Sequence, residues 1–173
     1  AGRFVFSGAK TVEASLLAAV FPASATTWDL DGGRLDFTGS FGWSEAPGVR
    51  GALRIRLDDG SAFYDTYRLS GIATDLAVEI DPTGWRVPAT EVRARALDAG
   101  IALGDLEARI AIEPDRVLAD RMAASGFGGA LAVEPFEYHV ESGSAALPVT
   151  LRGVDLERVL ALYGAQITGT GTL

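Results

Sequence analysis

The chain has 173 residues, 48% hydrophobic and 22% charged, a composition that fits a globular protein and excludes a disordered one. Its net charge of -8 and isoelectric point near 4.6 argue against nucleic acid as a partner, because phosphate backbones require a basic surface. It contains no cysteine, and no apolar run approaches the roughly 18 residues of a membrane span, so disulfides, thiolate chemistry and a spanning helix within these residues are excluded.

The first elements predicted along the chain are a short strand and a helix. The strand covers residues 3–7. Apolar residues then recur every four positions over residues 10–21, where Thr11 can cap a helix and Pro22 ends the run. We therefore predict a helix near residues 10–21.

From residue 34 the apolar period changes to two, which is the period of a strand. Residues 34–44 alternate strictly, and residues 53–57 repeat the alternation after a turn at residues 45–48. This pattern predicts an antiparallel pair of strands with one apolar face. Seven side chains form that face and are our candidate site residues: Leu35, Phe37, Phe41, Trp43, Leu53, Ile55 and Leu57.

Further strands follow at short intervals. We predict turns at Asp59-Gly60 and at residues 81–84, and a bulge at Gly104-Asp105, because the apolar parity changes by one residue there. A second helix is predicted over residues 155–163, opened by Asp155. The predicted strands lie near residues 63–69, 74–80, 92–96, 101–112, 116–123, 129–133, 136–140, 147–151 and 167–173.

No motif in the sequence carries catalysis or metal binding. His139, the one histidine, is predicted to be an exposed strand residue beside Glu137 and Glu141. Residues 29–33 resemble the start of a calcium loop but lack its later ligands, so we predict a tight turn there. The glycine-rich residues 125–129 lack the lysine of a phosphate-binding loop and predict a hairpin turn. We expect no enzyme activity, no cofactor and no metal.

These elements predict a mainly β chain: a mostly antiparallel sheet with two short helices near residues 10–21 and 155–163. Two short helices cannot cover so many one-sided strands. The sheet either folds over on itself as a sandwich or barrel, or curves into an open groove whose apolar side something else covers. We expect one β-rich domain over residues 1–173, excised from a longer protein.

The last third of the chain resembles the C-terminal domain of the YdbH-like proteins, once labelled a dicarboxylate transport domain, within the AsmA-like and TamB-like bacterial envelope proteins. The most distinctive part is the helix that begins at Asp155-Leu156, followed by the Gly-Thr-Gly-Thr-Leu strand at residues 169–173. The other segments of this third that carry the resemblance are residues 100–109, 126–136 and 147–151. The earlier predicted helix that ends at Pro22, followed by a glycine turn and a strand that ends at Phe41-Gly42-Trp43, fits the same domain, so the resemblance covers most of the chain.

This resemblance implies the periplasmic part of an inner-membrane-anchored protein. Its curved, apolar-lined β-groove would carry phospholipid between the inner and outer membranes. The implied partners are phospholipid acyl chains, the rest of the parent chain and a protein on the outer-membrane side. The seven candidate residues would then contact lipid.

Two other hypotheses remain open. The chain could be a structural or interaction domain with an ordinary closed core that binds a partner through an edge strand. It could also bind a dicarboxylate, for which Arg54 and Arg56 could supply the cations. Alternation places both arginines on the polar face of their strand, where solvated arginines are expected.

Overall fold

The computed structural model describes residues 1–12, 28–44 and 48–161. Within these residues, ten strands and one helix follow one another along the chain. The elements are β1 (Gly2–Val12), β2 (Trp28–Ser44), β3 (Gly48–Tyr64), β4 (Tyr67–Asp81), β5 (Gly84–Asp98), β6 (Ala102–Ile112), β7 (Arg116–Gly126), β8 (Gly129–Val133), β9 (Phe136–His139), β10 (Val149–Arg152) and α1 (Leu156–Ala161).

All ten strands belong to one antiparallel, open, curved sheet. The strand order is β1-β2-β3-β4-β5-β6-β7-β8-β10, and β9 pairs with the first part of β7. Consecutive strands are therefore neighbours almost throughout, which is the arrangement of a meander. The predicted mainly β, curved antiparallel sheet is confirmed. Among the described residues the sheet is open and does not close on itself, so each of its two faces needs its own cover, either solvent, protein or a ligand.

A line of bulges crosses β2 and β3 at two places where the sequence predicted turns, and it continues into β4. Residues 29–33 lie inside β2, whose register with β3 shifts on both sides of Gly32. Asp59-Gly60 lies inside β3, with Asp59 at φ 51° and a shift between Leu57 and Gly60. Both predicted turns are therefore wrong. Gly and Asp tolerate positive φ, so they suit a bulge as well as a turn, and here the flanking strands continue their pairing.

Other turns lie where the sequence predicted them. The β4–β5 hairpin turns at residues 81–84, where the Asp81 carboxylate accepts a hydrogen bond from the Thr83 amide at 2.7 Å. The β7–β8 hairpin turns at Phe127-Gly128, both with positive φ (56° and 80°), the conformation that short hairpin loops favour. The predicted bulge at Gly104-Asp105 is also confirmed, by a register shift with β7 and an Asp105 φ of 48°.

The two predicted helices fare differently. Helix α1 begins after Asp155, whose carboxylate accepts a hydrogen bond from the Glu157 amide at 3.0 Å and so caps the first turn. The last two residues predicted for it lie outside the described residues. Residues 10–12, predicted to open the first helix, instead belong to β1, where they pair with β2. Residues 13–21 of that prediction, and the predicted strand at 167–173, lie outside the described residues.

Candidate functional site

The two faces of the sheet differ in chemistry from edge to edge. Residues paired across antiparallel strands point to the same side, so the register assigns every side chain to a face. Phe37, Ile55 and Leu76 are partners on what we call the apolar face. Thr38, Arg54 and Ala77 are the adjacent partners on what we call the polar face.

One row of side chains on the apolar face crosses nine strands, from β1 to β10. Each member pairs with the next, and only Lys10 and Thr74 are not hydrophobic. The row, which we call the apolar band, consists of Lys10, Leu35, Leu57, Thr74, Val92, Ala108, Met122, Val133 and Val149. With about 4.8 Å between neighbouring strands, eight steps give a band roughly 38 Å long. The band is therefore continuous over the whole described sheet.

All seven candidate residues lie on the apolar face, in β2 and β3. Their exposure is graded along the strands. Leu57 is buried, at 7% exposure, and packs in a cluster with Ile72 and Ala94. Trp43, at the other end, is 52% exposed. The remaining five are half-buried. The face thus has a covered end near Leu57 and an exposed end near Trp43.

Aromatic rings on this face lie flat against glycines of the neighbouring strand. A Cβ built on Gly8 would come within 2.5 Å of the Phe37 ring, and one on Gly51 within 2.5 Å of the Phe41 ring. The registers place these residues directly opposite each other. Glycine is required at such positions because only a missing side chain lets a ring cover the backbone. The rings therefore line the sheet closely.

Phenylalanines of β1 extend the aromatic lining to the edge of the sheet. Phe6 stacks on Phe41 with ring centroids 5.8 Å apart and on Phe4 at 5.7 Å. Phe4 is 58% exposed. The sequence predicted a strand here but did not assign Phe4 and Phe6 to the site. Their i, i+2 spacing was the available signal, but the partner of the strand could not be identified because the β1–β2 connection is long.

The polar face carries many ion pairs, some between neighbouring strands and some within one strand. The Arg54 guanidinium donates two hydrogen bonds to Asp75, at 2.7 and 2.6 Å, and so holds the pKa of that carboxyl below its ordinary value. Arg56 pairs with Asp58 at 3.0 Å. Both arginines are more than 60% exposed, as predicted for the polar face. Because each already holds a carboxylate, they do not form the free cationic pair that dicarboxylate binding would need.

The other polar groups considered from the sequence are held in ordinary contacts. His139 is 58% exposed, with its Nε2 3.9 Å from Glu137, as the sequence predicted. Asp31 accepts hydrogen bonds from Ser61 and Arg68, both at 2.6 Å. No group of three or more potential metal ligands occurs within the described ranges. Nor does any described helix have the length and apolar character needed to cross a membrane.

Comparison with known proteins assigns the chain to a family. The YdbH-like family, described as "Intermembrane phospholipid transport protein YdbH", matches residues 11–173. No curated protein and no solved structure matches the chain. The match covers nearly all of the chain, including eight of the nine strands that form the apolar band, and confirms the resemblance seen in the sequence. The family is one of lipid transport proteins and not of enzymes. The chain belongs to the YdbH-like family of intermembrane phospholipid transport proteins.

Proposed function

We propose that the apolar face is one section of a periplasmic groove that carries phospholipid acyl chains between the inner and outer membranes. The apolar band is the observation that carries the proposal. Each of its members pairs with the next across nine neighbouring strands, and it ends in exposed side chains, with Val149 at 52% exposure. An open sheet with so long an apolar stripe needs a cover, since exposed apolar patches of this size mark binding surfaces.

The dimensions of the band suit lipid tails. The hydrocarbon core of a bilayer is about 30 Å thick, so the chains of one phospholipid extend about 15 Å. The band of roughly 38 Å can therefore hold the tails of two lipids one behind the other. Each methylene group that leaves water stabilises the complex by about 0.8 kcal/mol, so even partial coverage of a tail gives substantial binding.

The chemistry of the band suits movement as well as binding. Apart from Lys10 and Thr74 its side chains offer no hydrogen-bonding group, so an acyl chain makes mainly apolar contacts along the band. Contact with apolar surface is non-directional, so a shift by one strand breaks no specific bond. A tail can then slide along the sheet without crossing a deep energetic barrier.

A matched pair of variants tests the proposal. Ile55→Glu places a carboxylate on the apolar face. Ala77→Glu places one on the polar face, on the opposite side of the sheet, beside Arg54. We expect wild-type protein and Ala77→Glu to retain phospholipid in native mass spectrometry and to transfer fluorescent phospholipid between vesicles. We expect Ile55→Glu to lose both properties.

Circular dichroism and urea unfolding establish that each variant is folded. A folded Ile55→Glu that carries and transfers lipid as well as the wild type would contradict the proposal. So would wild-type protein that is free of lipid and takes up none from vesicles.

An interaction domain is the second candidate function, favoured by the edge strand β1. Among the described residues, its 11 residues pair only with β2, and they include two exposed apolar residues, Phe4 and Val5, at 58% and 65%. Long unpaired edges are templates for another strand. Under this reading β1 pairs with another part of the parent chain or with a protein on the outer-membrane side, which is compatible with lipid on the apolar face. Photo-crosslinking from Val5 in the full-length protein would identify the contact.

A further inference from the structure

Two arginines that lie close together at one end of the sheet form no ion pair among the described contacts, unlike most other arginines of the sheet. Within the described residues, which include every arginine of the chain, ion pairs engage all of them except Arg3, Arg50 and Arg152. Arg3 lies in β1 and Arg50 in β3, and both pair with the same residue, Gly42 of β2. Two unpaired cations on one row of the polar face therefore flank a glycine.

The space between the two arginines is open. Two strand spacings separate their backbones by about 9.6 Å, and an arginine side chain can reach across half of that distance. A Cβ built on Gly42 would have no described neighbour closer than 3.7 Å, so none of the described side chains fills the gap. A depression of about 530 Å³ lies here, and Ser40 and Ser44 add hydroxyl groups to its wall.

The nearest carboxylates of β4 have other partners. Glu79 pairs with Arg86 at 2.7 Å. Asp81 accepts hydrogen bonds from both the hydroxyl and the amide of Thr83, which lower its pKa. Neither forms an ion pair with Arg50 among the described contacts. The two guanidinium groups are thus available to an anion from solution.

We propose that Arg3 and Arg50 bind the phosphate of a phospholipid headgroup. This inference rests on the proposed function and adds a headgroup site to it. Arginine is the side chain best suited to phosphate, because its planar guanidinium donates paired hydrogen bonds to two oxygens. Ser40 and Ser44 can donate to the remaining oxygens.

The position of the depression favours a lipid phosphate over free phosphate. It lies where β1 begins, β2 ends and β3 begins. Arg3, Gly42 and Arg50 are each within two residues of these strand ends, which form the rim between the two faces of the sheet. Trp43 also lines it and belongs to the exposed end of the apolar face. Val49, the partner of Trp43, is 52% exposed as well. A lipid can therefore lay its tails on the apolar face and its phosphate over the rim.

The test compares three ligands on two charge-matched double variants of the chain. R3Q/R50Q removes the proposed site, and R109Q/R152Q removes two arginines of the polar face elsewhere. The ligands are phosphatidylglycerol, diacylglycerol with the same acyl chains, and inorganic phosphate. Binding is measured by displacement of a fluorescent fatty acid, and for phosphate by calorimetry, at low and at high salt.

We expect R3Q/R50Q to bind phosphatidylglycerol about 3- to 10-fold more weakly than the wild type, as for two solvent-exposed charge-assisted contacts. Diacylglycerol binding should be unchanged, and high salt should reduce the difference between variant and wild type. R109Q/R152Q should match the wild type throughout.

Equal affinity of R3Q/R50Q and the wild type for phosphatidylglycerol would overturn the headgroup site while leaving the proposed function intact, provided diacylglycerol still binds. Equal loss in R109Q/R152Q would also overturn it, by showing a general charge effect. Inorganic phosphate that binds as tightly as phosphatidylglycerol would assign the site to free phosphate. Failure of every lipid to bind the wild type would overturn the proposed function and this inference together.

Discussion

Two truncations on the apolar face should differ sharply in their effect on the stability of lipid-free protein. Leu57 is 7% exposed and packs against Ile72 and Ala94, whereas Phe4 at the edge of the sheet is 58% exposed. If the exposed end is covered by lipid and not by protein, Phe4 contributes little to folding. Leu57, covered by protein, contributes fully. Comparing Leu57→Ala with Phe4→Ala therefore distinguishes a side chain that protein covers from one that lipid covers.

The expected magnitudes follow from burial. Leu57→Ala removes roughly three carbon groups at about 0.8 kcal/mol each and leaves a cavity, so we expect a loss of about 2.5–4 kcal/mol. Complete burial of a phenylalanine contributes up to about 3 kcal/mol, and Phe4 is about two-fifths buried, so Phe4→Ala should cost about 1 kcal/mol. In a chain of this length, 3 kcal/mol corresponds to a fall in Tm of about 6–12 °C.

Urea unfolding of delipidated protein, followed by circular dichroism, measures both free energies by linear extrapolation. Added phospholipid should raise the stability of the wild type, since a ligand of the native state stabilises it by mass action. Phe4→Ala should reduce that gain more than Leu57→Ala does. If Phe4→Ala destabilises lipid-free protein as much as Leu57→Ala, the exposed end has a protein cover and the reasoning is refuted.

Three further predictions concern the scaffold. Gly129→Ala should lower the free energy of unfolding in urea by more than about 2 kcal/mol, because its Cβ would lie 2.6 Å from the backbone of the β10–α1 connection. The control Gly42→Ala, which has open space around it, should change that free energy by less than about 0.5 kcal/mol. Arg54→Gln should raise the pKa of Asp75 toward its ordinary 3.8 in an NMR titration. Since the pKa of Asp75 is lowered in the folded state, the stability that the pair contributes is present above pH 3.8 and is lost as pH falls below it. An unchanged titration would refute the pairing. Asp155→Ala should lower stability by about 1 kcal/mol through loss of the cap of α1, and an unchanged urea midpoint would show that the cap is dispensable.

The alternation of residues was sufficient to predict most of this sheet. Strict period-two patterns identified residues 34–44 of β2, 53–57 of β3 and 74–80 of β4, and the face on which Phe37 and Ile55 lie, because a pleated strand sends alternate side chains to opposite sides. The strand predicted at residues 63–69 was wrong, because the β3–β4 hairpin turns at residues 65–66. The parity change at Gly104-Asp105 likewise located a bulge. The resemblance in the C-terminal third identified the family.

Local signals failed where one residue type serves two conformations. Asp59-Gly60 and residues 29–33 contain the residues of turns, yet they form bulges because the strands on both sides continue to pair. The positive φ that glycine allows is common to both structures. Only the partner strand decides between them, and a single sequence does not state which strand that is.

By itself the sequence determined most of the strand segments, the chemistry of their two faces and the family, since these depend on local period and residue type. Tertiary structure alone decided that the apolar residues between Leu35 and Trp43 belong to one open sheet, and that the apolar band extends from them across nine strands. It also brought Phe4 and Phe6 to that face and set Arg3 beside Arg50. These results depend on register between distant segments, and register is a property of the whole sheet and not of any one strand.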